Sequence, residues 1–106
     1  MTNELDGPGL TDRQQIMQLM TGVSSSAREL ARQLRIPERQ IEEHLAHIAR
    51  TLARDRSRRF LIEPATCEHC GLVFRTRTRL TKPSRCPRCR SEHITSPRFE
   101  IRPTGR

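Results

Sequence analysis

The chain has 106 residues, carries a formal net charge of +8, and is 33% hydrophobic, with three Phe and no Trp or Tyr. A chain this short forms one domain or two very small ones, and its sparse apolar content excludes a large hydrophobic core, so a further source of stability is needed. No stretch approaches the roughly 20 apolar residues of a membrane span, and no secretory signal opens the chain, so we expect a soluble, cytoplasmic protein with no membrane partner.

A capping box predicts the first helix. Residues 1–10 hold two Gly and one Pro, which is typical of a flexible lead-in. Thr11 then begins the sequence TDRQ, in which the Thr11 hydroxyl can accept an early helix N–H while Gln14 reaches back. The apolar residues that follow share one helical face: Ile16, Met17, Leu19 and Met20. We therefore predict a helix over residues 12–20.

Two further helices follow along the chain. A second capping box, formed by Ser26 and Glu29, predicts a helix over residues 27–34. Pro37 suits the first turn of a third helix, where its missing N–H costs nothing. Apolar residues at spacings of four, three and four then form one stripe: Ile41, Leu45, Ile48 and Leu52. This third helix should end at about Ala53.

From Arg58 the apolar pattern changes to that of strands. RRFLIEPA (residues 58–65) is short and stops at proline, and PRFEIRP (residues 97–103) alternates apolar with charged residues. If the two strands pair, the residues between them form one excursion. The fold class predicted is α+β. Its parts are the flexible lead-in (1–10), a helical domain with the first strand (11–65), the excursion (66–96), the returning strand (97–103) and a disordered tail (104–106).

The excursion contains two C-x-x-C pairs: Cys67, Cys70, Cys86 and Cys89. Fifteen residues separate the pairs, and this spacing is typical of a tetrahedral four-thiolate zinc site. Four thiolates close the site to substrate, so we predict one structural Zn²⁺ that supplies stability the small core lacks. The sequence contains no Gly-rich phosphate loop and no nucleophile with a matching base, so an enzyme is not expected.

The cysteines have alternative interpretations besides zinc. A thioredoxin-like redox pair would need a single C-x-x-C near a βαβ pattern. The second C-x-x-C pair and the sequence around the cysteines do not fit that pattern. Iron of the rubredoxin kind shares the C-x-x-C-G and C-P-x-C sequences, but the absence of Trp and Tyr and the basic surroundings favour zinc. His69 and His93 are alternative ligands, which we expect to face solvent because four cysteines already complete a site.

Between the cysteine pairs, VFRTRTRL (residues 73–80) has arginine at every second position. As a strand of a zinc-ribbon hairpin it would turn one set of side chains toward the ribbon core: Phe74, Thr76, Thr78 and Leu80. The opposite face would carry Arg75, Arg77 and Arg79. We expect these arginines to contact a phosphate backbone, and a solvated hairpin flank is the alternative.

The order helix, short helix, tight joint and longer helix is a helix-turn-helix arrangement, and a following strand pair makes it winged. ARELARQLRIPERQIEEHLAHIARTL (residues 27–52) resembles winged helix-turn-helix repressors. Followed by CEHCGLVFRTRTRLTKPSRCPRCRSEHITSPRFEI, it resembles a family of predicted prokaryotic transcriptional regulators that fuse such a domain to a zinc ribbon. The resemblance implies a three-helix winged helix-turn-helix with a small β zinc ribbon in or after the wing, which binds double-stranded DNA as a homodimer. Where these proteins usually have Gly, this chain has Arg35, so a left-handed backbone there would carry strain.

The third helix is the predicted major-groove element. A rotation of about 100° per residue places a polar set opposite or beside its apolar stripe: Arg39, Gln40, Glu43, His47, Arg50 and Arg54. Arg39 and Gln40 are suitable donors for base edges. Glu42 and Glu43 are unfavourable beside phosphates, although Glu43 could accept from cytosine or form an ion pair with Arg39 or His47 on the helix surface. His44 borders the stripe and is expected to pack there.

Arginines after the third helix are the predicted phosphate contacts. Residues 1–53 carry a net charge of −1 and residues 54–106 a net charge of +9, which indicates a polyanionic partner. Four arginines lie within six residues of one another, and Asp55 is the one acidic residue among them: Arg54, Arg56, Arg58 and Arg59. The alternative interpretation is that these arginines lie at a solvated helix end and contact no phosphate. With Arg28 of the second helix they complete the predicted DNA-binding set.

The sequence therefore predicts a DNA-binding transcriptional regulator, with the third helix in the major groove and the arginine-rich wing and zinc ribbon on the DNA backbone. The alternative is a module of the transcription or translation machinery, in which the acidic residues of the third helix bind protein and the ribbon binds RNA polymerase or RNA. A metal-responsive repressor with exchangeable zinc is a variant of the first interpretation.

Overall fold

The structure, a computed structural model, describes residues 10–75 and 80–104. Within these ranges the chain forms a mixed α+β fold of three helices and three strands. They are α1 (Asp12–Met20), β1 (Ser25–Ser26), α2 (Ala27–Leu34), α3 (Glu38–Leu52), β2 (Arg58–Glu63) and β3 (Arg98–Pro103). The three helices and two longer strands lie where the sequence predicts them, and β1 is an element that it did not predict.

Both predicted capping boxes are formed. At α1, the Thr11 hydroxyl accepts the Gln14 N–H at 3.1 Å, and the Gln14 side chain accepts the Thr11 N–H at 2.9 Å. At α2, Ser26 and Glu29 make the same reciprocal pair, at 3.2 and 3.1 Å. Each box satisfies N–H groups that a helix start leaves without intrahelical acceptors, and so it fixes where the helix begins.

The tight joint between α2 and α3 contains the predicted left-handed residue. Arg35 has φ 56° and ψ 43°, a conformation in which any residue with a Cβ is strained. The N–H of Arg35 and that of Ile36 both donate to the Ala31 carbonyl. This arrangement satisfies a carbonyl at the end of α2 and turns the chain sharply into α3.

The strands form one antiparallel sheet in the order β1-β3-β2. Phe60 of β2 lies opposite Ile101 of β3, and Ile62 lies opposite Phe99. The rings of Phe60 and Phe99 stack with their centroids 5.9 Å apart. The predicted pairing of the strands that flank the excursion is therefore confirmed, and the cysteines lie on a chain segment that leaves and re-enters one sheet.

Two separate hydrophobic clusters stabilise the fold. The larger lies between the helices and the sheet and contains Ile16, Met20, Ala27, Leu30, Ile41, Leu45, Ile48, Leu52, Phe99 and Ile101. The smaller lies inside the excursion and contains Ala65, Cys67, Cys86 and Ile94. A cluster in which two of four buried residues are cysteines is too small to hold a fold by apolar burial alone, so the excursion depends on what the cysteines bind.

Candidate metal centre and nucleic-acid interface

Two similar turns position the four cysteines. In the first turn, the Gly71 N–H donates to the Cys67 carbonyl at 2.9 Å, and Gly71 has φ 80°. In the second, the Arg90 N–H donates to the Cys86 carbonyl at 2.8 Å, and Arg90 has φ 64°. The left-handed residue after each pair closes the turn, so that both sulfurs of the pair point to the same side.

The turns bring all four sulfurs together. The Sγ atoms of Cys67 and Cys89 are 3.5 Å apart, those of Cys70 and Cys86 are 3.6 Å apart, and the four lie within 4.8 Å of one another. A tetrahedral site with Zn–S bonds of about 2.3 Å requires sulfur separations of about 3.8 Å. The donor set therefore fits zinc, and all four ligands are cysteines, as predicted. His69 and His93 are exposed and stand outside the cluster.

The turns favour the thiolate form that binds metal at Cys67 and Cys86, whereas at Cys89 the effect of the Ser91 N–H is outweighed by burial and the neighbouring sulfurs, which raise the pKa of Cys89 to about 12. The backbone N–H of Cys70 is the main cause that lowers the pKa of Cys67. Burial opposes ionisation of Cys86, but the backbone N–H groups of Cys89 and Arg88 outweigh it and lower the pKa of Cys86 to about 6. Thiolates packed this closely repel one another, and a dication among them removes that repulsion.

Comparisons with known proteins agree with this geometry. Residues 11–61 match the model of the "PF0610-like, N-terminal" family, and residues 64–103 match the "PF0610 rubredoxin-like zinc beta-ribbon domain". The solution NMR structure of protein PF0610 from Pyrococcus furiosus matches with a TM-score of 0.71 and 37% identity, over 85% of this chain and 87% of that one. The chain belongs to the PF0610-like family. No curated protein matches it.

Membership in the PF0610-like family identifies the excursion as a rubredoxin-like zinc ribbon. The rubredoxin-like sequence around the cysteines is thus a feature of the ribbon, and the four clustered sulfurs are consistent with one structural Zn²⁺. Within the described parts of the chain, no helix has the length and apolar character to cross a bilayer.

The predicted strand through residues 73–80 is only partly present in this ribbon. Val73 bridges Thr66, and half-buried Phe74 packs against the ribbon cluster as predicted. Arg75 is exposed and lies in a turn. The rest of the predicted arginine face and its threonines lie outside the described residues: Thr76, Arg77, Thr78 and Arg79.

The placement of Leu80 toward the ribbon core is only partly right, because Leu80 lines a cavity with Ala65 and Phe74 of the ribbon but is not part of the ribbon cluster. Leu80 packs against the larger cluster of the helices and sheet, and it lines a crevice with Ala27. The prediction assumed a strict alternation from Val73 to Leu80, whereas Arg75 lies in a turn. Beyond that turn, the helical cluster offers a leucine far more apolar surface than the small ribbon cluster does.

The predicted DNA-binding residues within the described chain are all exposed: Arg28, Arg39, Gln40, Glu43, His47, Arg54, Arg56, Arg58, Arg59 and Arg75. They come from four places. Arg28 is on α2, the set from Arg39 to His47 is on α3, and the arginines from 54 to 59 follow along the turn and β2. Arg75 is on the ribbon.

Asp55 organises the turn between α3 and β2. Its carboxylate accepts hydrogen bonds from the Ser57 hydroxyl and N–H, both at 2.6 Å, and forms an ion pair with Arg58 at 3.2 Å. These donors, Ser57 first, lower the pKa of Asp55 to about 2. Arg58 is therefore partly neutralised, whereas the side chains of Arg54, Arg56 and Arg59 form no ion pair with any described residue.

One flank of α3 carries a cation that sequence reasoning missed. Arg13 of α1 is the main cause that lowers the pKa of His47, followed by burial and by Arg50. Arg13 is half-buried, and its Nε has no hydrogen-bond partner among the described residues. No sequence pattern indicated this contribution, because it depends on how α1 packs across α3.

The opposite flank of α3 holds acidic residues. Glu38 and half-buried Glu42 line a crevice with Arg28 and Lys82, next to the connection from the ribbon. Burial, and then repulsion from Glu38, raise the pKa of Glu42. Glu43 is exposed and forms no ion pair within the described chain, so the predicted pair with Arg39 or His47 is absent.

Proposed function

We propose that the protein is a winged helix-turn-helix regulator that binds double-stranded DNA, with α3 in the major groove. The element order supports this. Three helices are followed by a strand pair, and the short strand β1 between α1 and α2 adds to the same sheet. That arrangement presents α3 as the second helix of a helix-turn-helix and β2 with β3 as the base of a wing.

The division of charge around α3 is the observation that carries the proposal. Its outer face presents Arg39, Gln40 and Arg50 to solvent together with one carboxylate, Glu43, while Glu38 and Glu42 lie on the flank beside the ribbon connection. Arg39 and Gln40 have the donors that read guanine and adenine edges. Displacing two carboxylates to the side lowers the electrostatic cost of bringing this face to a phosphate backbone.

The turn after α3 supplies the phosphate contacts. Arg54 and Arg56 are exposed and form no ion pair within the described residues, so their charges are available to a polyanion. Arg58 is held by Asp55 and contributes less. Contacts of this kind position the protein on the duplex without specifying the sequence. The zinc ribbon, with exposed Arg75, extends the wing toward the same backbone.

Selection from random duplex DNA at roughly physiological salt tests the proposal. A defined motif that is relaxed by Arg39→Gln supports it, because a bidentate base contact contributes about 1–3 kcal/mol of discrimination. Arg85→Gln is the matched control, since it removes the same charge from an exposed ribbon residue that is already paired with Glu92. Sequence-independent binding, or stronger binding to single-stranded RNA, would contradict the regulator and favour a module of the transcription or translation machinery.

A further inference from the structure

β2 is an edge strand whose outer hydrogen-bonding groups can be assigned. The other side of β3 carries β1. The Ile101 carbonyl accepts the Gly22 N–H at 2.9 Å, on the β1 side, so Ile101 directs its backbone groups away from β2. Its register partner Phe60 therefore directs its own N–H and C=O outward, and Ile62, two residues further, does the same.

Within the described chain the outer backbone groups of this edge are unpaired, and the ribbon residues Phe74, Arg75 and Leu80 line a cavity with Ile62. No backbone hydrogen bond within residues 10–75 and 80–104 reaches the outer side of Phe60 or Ile62. Ile62 is 47% exposed, one of few large hydrophobic residues in such a position. An open groove runs beside the strand; Leu52, Phe60 and Leu61 give it an apolar part, and Asp55, Arg56, Arg58 and Arg59 give it a charged part. An unpaired strand edge is a template for another strand.

The sequence of β2 is complementary to itself in one antiparallel register. Only residues that direct their backbone outward can form the hydrogen-bonded pairs, so Phe60 must lie opposite an even-numbered residue of a second copy. With the two-fold axis at Leu61, Phe60 faces Ile62 of the second copy. Arg59 then faces Glu63 of the second copy, and symmetry repeats both pairs.

Neither member of this charge pair is satisfied within the described chain. Arg59 lies opposite Arg102, whose guanidinium is bound by Glu100. Glu63 lies opposite Arg98, whose guanidinium is bound by Glu29. Opposite charges directly across an antiparallel pair stabilise it, and like charges destabilise it.

We propose that a second copy of this chain docks on β2, in antiparallel register about Leu61, and joins the two three-stranded sheets into one. The apolar residues of β2 then cover each other, and the two pairs of Arg59 with Glu63 fix the register. Arg54 and Arg56 remain available for phosphates. The dimer does not rest on the proposed function, because the outer edge of β2 would pair with a second copy whether or not the protein binds DNA.

Charge reversal tests the register. In sedimentation velocity over a range of concentrations, we expect the zinc-bound wild type to dimerise and Glu63→Arg and Arg59→Glu to shift the protein to monomer, since each places like charges opposite. The double variant restores both pairs and should restore the dimer. Glu92→Arg, an exposed reversal in the ribbon, is the control. A monomeric wild type, or a dimer that ignores both single reversals, would overturn the proposal.

A disulfide trap tests the two-fold axis independently. Leu61 would form a pair without hydrogen bonds, in which the two Cα atoms lie about 4.5 Å apart. Leu61→Cys should therefore cross-link under mild oxidation with zinc bound, and mass spectrometry should find residue 61 joined to residue 61. Val23→Cys, at a position that is 54% exposed elsewhere, is the control. Equal cross-linking of both variants, or none at residue 61 in a dimer, would place the interface elsewhere.

Discussion

Arg98 of β3 donates hydrogen bonds to both carboxylate oxygens of Glu29 in α2, at 3.0 and 3.4 Å. The same guanidinium donates to the Ser24 carbonyl at 2.8 Å. Glu29 is also the second half of the capping box, so one carboxylate serves the helix start and the returning strand. The chain that emerges from the zinc ribbon is thereby tied to the start of α2.

Two substitutions separate these roles of Glu29. Ser26→Ala removes the hydroxyl that caps α2 and should lower the free energy of unfolding by about 1 kcal/mol. Glu29→Gln keeps an acceptor for the Ser26 N–H but removes a half-exposed ion pair, so it should cost less than about 1 kcal/mol. Urea denaturation measures both. A larger loss in Glu29→Gln than in Ser26→Ala would show that the link to Arg98 outweighs the cap.

The helices could be predicted because their signals are local. Capping boxes and apolar spacing act within a few residues of chain, so α1 and α2 begin where Thr11 and Ser26 stand. β1 could not be predicted, since Ser25 and Ser26 have no strand pattern and become a strand only by pairing with β3. The same holds for Leu80 and Arg13, whose surroundings are set by the packing of distant elements.

In the candidate sites too, features set by local sequence could be predicted and features set by distant packing could not. The spacing of the cysteines predicts the metal cluster, because two tight turns bring each pair of sulfurs together whatever the rest of the chain does. The helical rotation of α3 predicts which side chains are exposed. It could not predict that Glu42 would face the ribbon connection, because that crevice is formed with Lys82 and Ser96, which lie far along the chain from α3.

Metal removal should unfold the ribbon and spare the helices. The ribbon cluster contains two buried cysteines and little apolar surface, while the larger cluster is built from the helices and β3. We expect one zinc per chain by native mass spectrometry. Chelation should collapse the amide resonances of residues 66–73 and preserve those of α1–α3, and Cys86→Ser should do the same without chelator. Simultaneous loss of both sets would show that the clusters unfold as one unit.

Arginines after α3 should set the salt dependence of DNA binding. Replacing Arg54 and Arg56 together by Gln should weaken binding to all duplexes alike. It should also reduce the slope of log K against log salt concentration by about 0.9 for each phosphate that an arginine no longer neutralises. Fluorescence anisotropy at several salt concentrations measures the slope. Arg85→Gln is the control and should leave the slope unchanged, because Arg85 is paired with Glu92. If the double variant also left the slope unchanged, Arg54 and Arg56 would contact solvent and not phosphates.

Asp55→Asn should destabilise the turn between α3 and β2 in a pH-dependent way. The folded state lowers the pKa of Asp55 from 3.8 to about 2, so its carboxylate contributes stability that is fully present above pH 4 and lost as the pH falls toward 2. The difference in free energy of unfolding between wild type and Asp55→Asn should thus be the same at pH 7 and pH 5. Asp12→Asn replaces a carboxylate outside this turn and is the control for an effect that is specific to Asp55. A difference that already shrinks between pH 7 and pH 5 would contradict the assignment to Asp55.

Arg35→Gly should stabilise the fold. Arg35 is held at φ 56° at the end of α2, where glycine has no Cβ to strain. Relief of that strain exceeds the extra chain entropy that glycine brings to the unfolded state, so we expect a gain of up to about 1 kcal/mol in the free energy of unfolding. Arg32→Gly is the matched control, because the same substitution inside α2 should cost about 1 kcal/mol. If Arg35→Gly instead destabilised the protein, the Arg35 side chain would have to make a contact that outweighs the strain of its own backbone.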